Sequence, residues 1–246
     1  GLKILLAEDC AESQDLMALY LRGTPHRMDR AASGVSVVER YQTGGYDLVF
    51  MDLQMPGMDG YAATRAIRAW EETQGLPRVP IVALTANADD EAQRNSLLAG
   101  CTDFVTKPVK VATILGVIQR YMIASVKGTS SEPGAGQSAA KGDTFEQSLQ
   151  ALRPKFVRNR QQDVTILQSA IIAQNAATIR TIGHRIKGLA GSYGLDTIGL
   201  IGSALEAAAL DRDFERVTAE VQRLVAALRE AEGACSEAGD GIFPSQ

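Results

Sequence analysis

The sequence holds only three cysteines, Cys10, Cys101 and Cys235, odd in number and far apart. The paired spacing of a zinc site or a disulfide framework is missing, so these thiols read as reduced and structural. An excess of positive charge is also missing: 25 Lys and Arg against 29 Asp and Glu leave a net charge of −4. That gives no electrostatic reason to expect a nucleic-acid partner. No apolar run approaches the roughly 18 residues of a membrane span. The first ten residues, with charges at Lys3, Glu8 and Asp9, do not read as a signal peptide. The expectation is a cytoplasmic chain without a membrane or nucleic-acid partner. It opens on Gly rather than Met, so either an initiator was removed or the sequence is part of something longer. What is present is ordinary: 246 residues, 45% apolar and 22% charged, suffice for one large domain or two small ones.

The segment Asp47-Leu-Val-Phe-Met-Asp52-Leu-Gln54-Met-Pro-Gly-Met-Asp-Gly60 organises the first half. Its apolar run from Leu48 to Met51 reads as a strand buried on both faces, and it delivers the Asp52 carboxylate to a Pro-Gly turn. A lone Asp there could simply start the turn, so the neighbouring segments decide. Lys3 to Ala7 is a second apolar run, ending in Glu8 and Asp9. Arg27 to Ala32 is a poor strand interrupted by charge, which an edge position would explain. Pro80 to Leu84 ends in Thr85, and Phe104 to Thr106 ends in Lys107-Pro108. Between these runs lie helical patterns: Leu16, Leu19 and Tyr20 before Gly23, then about Gly34–Tyr41, Tyr61–Glu72, Asp89–Ala99 stopped by Gly100, and Val111–Tyr121. Alternating strands and helices predict a (βα)5 parallel sheet with right-handed crossovers. Three acids, a hydroxyl and a lysine then fall at the carboxyl ends of its strands, where such sheets bind ligands.

With Glu8-Asp9, the Asp52-Leu-Gln-Met-Pro-Gly-Met-Asp-Gly60 segment, Thr85-Ala86 and Lys107-Pro108 in place, residues 1–123 resemble a response-regulator receiver domain. The resemblance implies a doubly wound, flavodoxin-like α/β fold. It makes Asp52 the phosphoacceptor, Glu8 and Asp9 the acid pair that binds Mg²⁺, and Gln54 a metal ligand through its backbone carbonyl. It makes Lys107 the phosphoryl contact, Thr85 the switch hydroxyl and Phe104 the switch aromatic. The chemistry of the residues agrees, because clustered carboxylates repel and call for a hard divalent cation. Attack of the Asp52 carboxylate on phosphorus would give an acyl phosphate, with Lys107 and Mg²⁺ neutralising the phosphoryl oxygens. Cys10 lies next to this pocket and is assigned no role.

Residues 124–142, rich in Gly, Ser and Ala, cannot support a core and read as a flexible linker with a span of about 25 Å. Beyond it, the expectation is an all-α antiparallel four-helix bundle over 143–233. A short helix, about Thr144–Leu152, should stop before Pro154, and the next should carry Phe156, Val164, Leu167, Ile171 and Ile172. Asn175, Asp196 and Asp213 are the expected caps of the last three helices. A tail, 234–246, is expected to be disordered. In the Asn175 helix, Ile179, Ile182, Ile186, Leu189, Ala190 and Tyr193 share one stripe at about 100° per residue. His184 lies opposite and is expected to face solvent, with Gly188 and Gly191 leaving clearance for another protein. The run His184-Arg-Ile-Lys187-Gly188-Leu-Ala-Gly191-Ser-Tyr-Gly194 resembles the histidine-containing phosphotransfer (HPt) domain. That implies a phosphoryl group on a ring nitrogen of His184, with Lys187 helping to hold it. His26, in a loop after Pro25, is expected to be plain surface.

Together these resemblances imply a phosphorelay protein of a two-component system, phosphorylated at Asp52 and His184. Neither half shows the Gly-rich loop of a P-loop or protein kinase, so the chain is expected to be a carrier rather than an enzyme acting on ATP. Its partners would be an upstream sensor histidine kinase and other receiver domains, with a receiver–HPt contact within or between chains left open. An interaction module with an inactive HPt-like bundle is the alternative. An aspartyl-phosphate phosphohydrolase fits less well, because its Asp-x-Asp motif would need an acid where Gln54 stands.

Overall fold

Strands that must be buried on both faces come out here as five short parallel segments in one sheet. In the computed structural model, which describes residues 1–86, 90–126 and 142–239, these are β1 (Lys3–Ala7), β2 (Arg27–Ala31), β3 (Leu48–Asp52), β4 (Ile81–Thr85) and β5 (Asp103–Thr106). The sheet order is β2-β1-β3-β4-β5. The charged β2 takes the edge next to β1, as its interrupted pattern predicts, while β3 and β4 lie inside with all their residues buried. Alternation divides the sheet's side chains between two cores. Leu5, Ala7, Val49, Met51, Ile81 and Ala83 join Val37, Tyr41, Ala63 and Ile67 of α2 (Gly34–Gly44) and α3 (Gly60–Gln74). The intervening Leu6, Phe50, Val82 and Leu84 are also buried, on the side of α1 (Ala11–Leu21) and α5 (Val111–Val126). Helix α4 (Asp90–Ala99) completes the doubly wound arrangement.

The direction of winding reverses between β1 and β3. A crevice therefore opens at their carboxyl ends, which is where open α/β sheets take ligands. Local contacts hold the loops there. The Asp59 side chain caps α3 through the Ala62 amide at 2.7 Å, and Gly60 tucks that helix under β3: a Cβ on it would lie 2.2 Å from the Asp52 carbonyl oxygen.

Backbone contacts divide the chain into two compact units, Gly1–Ser138 and Ala139–Gln246. The second is an antiparallel bundle of α6 (Gly142–Ile172), α7 (Ala176–Ala190), α8 (Asp196–Leu210) and α9 (Phe214–Gly239). Its core contains Phe156, Leu167, Ile179, Ile186, Leu205, Val217 and Leu224, all fully buried. Pro154 does not end a helix as expected, for α6 runs through it. Leu149, Phe156 and Val157 are all buried, so one apolar stripe spans the proline and packing outweighs the hydrogen bond that it removes. Asn175 caps α7 through the Thr178 amide, and Asp213 caps α9 through the Arg216 amide. Asp196 is instead the first residue of α8, and the cap position falls to Leu195. Of the expected linker, 124–126 continue α5 and Gly142 begins α6, while 127–141 lie outside the described residues. Helix α9 continues to Gly239 in the segment expected to be a tail; 240–246 lie outside the described residues. Among the described residues no helix is long and apolar enough to cross a membrane.

Candidate functional site

In the first unit, β1 delivers Glu8 and Asp9, β3 delivers Asp52, and the loop after β5 delivers Lys107 to the same crevice. Carboxylate oxygens of Glu8, Asp9 and Asp52 all lie within 4.8 Å of one another. Glu8 and Asp52 are only 2% and 5% exposed, whereas Asp9 stands at the surface. Lys107 Nζ donates to Asp52 Oδ2 at 2.7 Å and to Glu8 Oε2 at 2.9 Å. The Gln54 amide donates to Asp52 Oδ1 at 3.0 Å, and the Cys10 amide to Glu8 Oε1 at 3.3 Å. Backbone pairing fixes the lysine's loop, for the Lys107 N–H donates to the Thr85 carbonyl at 2.7 Å.

This geometry sets the charges. Burial pushes the Glu8 carboxyl up, against the pull of Lys107 and with the help of the Asp52 charge. Burial works against the Lys107 ammonium, but Glu8 and Asp52 more than offset it and hold its pKa above the usual lysine value. Three carboxylates against one ammonium leave a surplus of two negative charges. Thr85 is buried at the end of β4, and Phe104 is half-buried in β5, lining a cavity of about 500 Å³ with Thr106, Gly116, Val117 and Arg120.

The second unit brings together a different set. His184 does not face open solvent: its side chain is 16% exposed, and Nδ1 lies 2.9 Å from Oε1 of Glu206 on α8. Lys187 Nζ donates to the other oxygen of the same carboxylate at 3.1 Å. The hydrogen bond with His184, with the charges of His184 and Lys187 and against the effect of burial, holds the Glu206 pKa down to about 2. Gly188 is buried in the bundle rather than open to an approaching surface, and Gly191 ends α7 half-buried. The solvent-facing reading of His184 treated α7 alone, whereas α8 packs along that flank.

Sequence reasoning missed Glu206. Its signal is faint but present: in the apolar and small run Gly202-Ser-Ala-Leu-Glu206-Ala-Ala-Ala-Leu210, it is the one charged residue. His26 also has a partner, since its Nδ1 accepts from the Leu2 amide at 3.1 Å.

Residues 4–119 match the family model of the response regulator receiver domain, and residues 151–231 match that of the Hpt domain. The chain therefore carries a receiver domain followed by an Hpt domain, the two domain families of phosphorelay signalling. Among its relatives is the aerobic respiration control sensor protein ArcB of Escherichia coli (strain K12), 29% identical over 218 residues and 84% of this chain. The chain spans 28% of the length of ArcB. The hybrid signal transduction histidine kinase B of Dictyostelium discoideum is 40% identical over 121 residues, 46% of this chain and 6% of its own. Among solved structures, the receiver domain of sensor histidine kinase PA1611 from Pseudomonas aeruginosa PAO1 has a magnesium ion coordinated in its active-site cleft. It is 40% identical, covering 50% of this chain and 98% of its own, with a TM-score of 0.45. A chain from the co-crystal of the Saccharomyces cerevisiae phosphotransfer protein Ypd1 with the receiver domain of Ssk1 is 32% identical. It covers 50% of this chain and 90% of its own, with a TM-score of 0.49.

Proposed function

We propose that the chain carries phosphoryl groups between partner proteins at two stations, Asp52 and His184. The observation that carries this reading is the bridge made by Lys107 between the Asp52 and Glu8 carboxylates, at the point of the sheet where ligands bind. A carboxylate held between an ammonium and the Gln54 amide is oriented for attack, and the same donors can follow the charge onto phosphoryl oxygens.

At the receiver, an Asp52 oxygen forms a bond to phosphorus as the P–N bond of a donor phosphohistidine breaks, and the departing imidazole nitrogen keeps the electron pair and takes up a proton. Transfer onto His184 runs the other way: the ring nitrogen attacks, and the carboxylate of an acyl phosphate leaves. Nδ1 of His184 is engaged by Glu206, which leaves Nε2 as the attacking atom. Lys187, beside the ring, can turn from Glu206 toward the new phosphoryl group. Thr85 would donate its hydroxyl to the phosphoryl oxygen on Asp52 and couple the charge change to Phe104.

The acid cluster fits Mg²⁺, because its donors are hard oxygens and its surplus charge is negative. Glu8, Asp9, Asp52 and the Gln54 carbonyl would hold the ion, which when bound supplies positive charge to the phosphoryl oxygens. The magnesium in the PA1611 receiver and the pairing of Ypd1 with a receiver domain support the metal and the partner class. Those partners are a sensor histidine kinase upstream and further receiver domains. We assign no ATP chemistry to the two domains, which act as carriers, with residues 1–123 as receiver and 143–233 as HPt.

The test is labelling with acetyl phosphate and Mg²⁺. Base-labile phosphate is expected on the wild type, none on Asp52→Asn, and wild-type amounts on His184→Gln. Labelling that survived Asp52→Asn would sink the receiver assignment.

A further inference from the structure

Helices α7 and α8 meet at one crossing where glycine faces glycine and the two backbones come close. A Cβ on Gly183 would lie 2.7 Å from the Glu206 amide nitrogen and 2.9 Å from the Gly202 carbonyl oxygen. A Cβ on Gly202 would lie 2.6 Å from the Lys187 amide nitrogen and 2.9 Å from the Gly183 carbonyl oxygen. These are backbone atoms, which cannot rotate away as a flexible side chain can, and Leu205 Cβ at 3.1 Å from the first carbon and Ile186 Cγ2 at 2.8 Å from the second crowd the same space. At Gly199, one turn earlier, the same test meets the Ala190 side chain at 3.6 Å, the Gly191 amide nitrogen at 3.9 Å and the Lys187 carbonyl oxygen at 4.0 Å, all ordinary contacts. The close approach therefore belongs to the Gly183–Gly202 pair and not to every glycine along the seam.

The crossing lies within the phosphoryl-accepting site. Gly183 precedes His184, and the backbone atoms nearest to the added carbons belong to Lys187 and Glu206. The Glu206 carboxylate is engaged at both oxygens, by His184 at 2.9 Å and Lys187 at 3.1 Å. Moving α8 out by about an ångström would bring at least one of these pairs beyond hydrogen-bond length. Glycine in a helix interior disfavours the helix, so a pair of them facing each other across the seam marks a place where closeness matters.

We infer that Gly183 and Gly202 are positioning residues for the phosphoryl-accepting histidine. They set α7 and α8 close enough for Glu206 to hold His184 Nδ1 and Lys187 Nζ together, which keeps the proton on Nδ1 and presents Nε2 to the phosphoryl donor. The inference rests on the reading of His184 as the acceptor and adds the backbone spacing that tunes it.

Ring-nitrogen NMR of the full chain with ¹⁵N-labelled histidine, at a pH where both rings are neutral, reads this directly. The chain has only two histidines. His26 accepts at Nδ1 and carries its proton on Nε2, the opposite tautomer from His184, so it serves as an internal reference. Gly183→Ala and Gly202→Ala are expected to move His184 toward the Nε2–H form. They should also slow phosphoryl transfer to it on the order of tenfold or more, from His184→Gln chains labelled on Asp52 with acetyl phosphate. Gly199→Ala should change neither. Glu206→Asp withdraws the carboxylate by one methylene without adding a carbon at the crossing, and should reproduce the tautomer shift in a folded bundle.

Folded alanine variants that kept the wild-type tautomer and rate would overturn the inference, as would a Glu206→Asp chain that did so. If the alanine variants do not fold, Glu206→Asp decides alone. A wild-type chain with the Nδ1–H tautomer but no transfer would remove the relay reading and leave the positioning intact. An unchanged tautomer in the variants would do the reverse.

Discussion

The receiver pocket and the histidine site use the same three ingredients, a proposed phosphoryl acceptor, a lysine and a glutamate, in opposite arrangements. In the receiver the lysine is shared: Lys107 bridges the acceptor Asp52 and Glu8, and with Asp9 the cluster carries two surplus negative charges. In the bundle the carboxylate is shared: Glu206 bridges the acceptor His184 and Lys187, and with a neutral ring the charges balance. A carboxylate nucleophile brings its own charge toward an anionic phosphoryl group and needs compensation, whereas a neutral imidazole does not. On the proposed function, metal dependence accordingly belongs to the first site. The second needs a proton held in place.

Buried charge also differs in purpose between the two units, and this yields the largest expected effect. In the bundle, Asp163 and Arg160 are 4% and 2% exposed, and Asp163 pairs with both Arg160 and Arg185. Asp163→Ala leaves a buried arginine without its carboxylate and should destabilise the bundle by about 3–5 kcal/mol. Denaturant unfolding with probes in each unit should show the receiver transition unmoved.

Glu206→Gln comes next. The wild-type Glu206 pKa is depressed from 4.5 to about 2, so its contribution is fully present above pH 4.5 and is lost as pH falls through the window toward 2. Once solvent screening is allowed for, that contribution is about 1–2 kcal/mol. Acid unfolding of the bundle in Glu206→Gln should lack this dependence; an unchanged profile would mean that the carboxylate is not engaged in solution.

Lys107→Ala sharpens the charge argument. It raises the receiver's surplus from two negative charges to three, so Mg²⁺ should bind several-fold tighter, about 1 kcal/mol, while acetyl-phosphate labelling falls. Weaker Mg²⁺ binding, read by calorimetry, would contradict the balance described above.

The smallest effect concerns the backbone. Among the described residues, every positive φ in the receiver falls on glycine, whereas the bundle places Gln174 and Arg212 at φ 50° and 54°. Gln174→Gly or Arg212→Gly should relieve left-handed strain and raise bundle stability by about 0.5 kcal/mol. Thermal unfolding would show it as a small upward shift.

Much of the receiver could be read from the sequence, because β1, β3 and β4 carry continuous apolar runs and the proposed site residues fall at strand ends. The rule that ligands sit beyond the carboxyl ends of a parallel sheet gathered Asp52, Glu8 and Lys107, and the resemblance to a receiver domain gave them their expected roles. Even the edge position of β2 was visible in its charges. The bundle was less legible. His184 and Lys187 stood out through the resemblance of their run to the HPt domain, but helical periodicity says which face of one helix is apolar and not which neighbour covers its flank. Glu206 approaches from a different helix, and the path of α6 through Pro154 depends on Leu149 and Phe156 finding a common core. Both are settled by packing between segments distant in sequence, which local pattern does not contain.

The most direct test of the contrast is one Mg²⁺ titration of the full chain, following the backbone amides near Asp52 and the ring nitrogens of His184 in the same NMR samples, with acetyl-phosphate labelling alongside. The account predicts saturable shifts at Glu8, Asp9 and Asp52, labelling that rises with the same midpoint and vanishes in chelator, and a His184 tautomer unmoved throughout. Labelling independent of Mg²⁺, or a His184 ring that titrates with the metal at the receiver's midpoint, would contradict it.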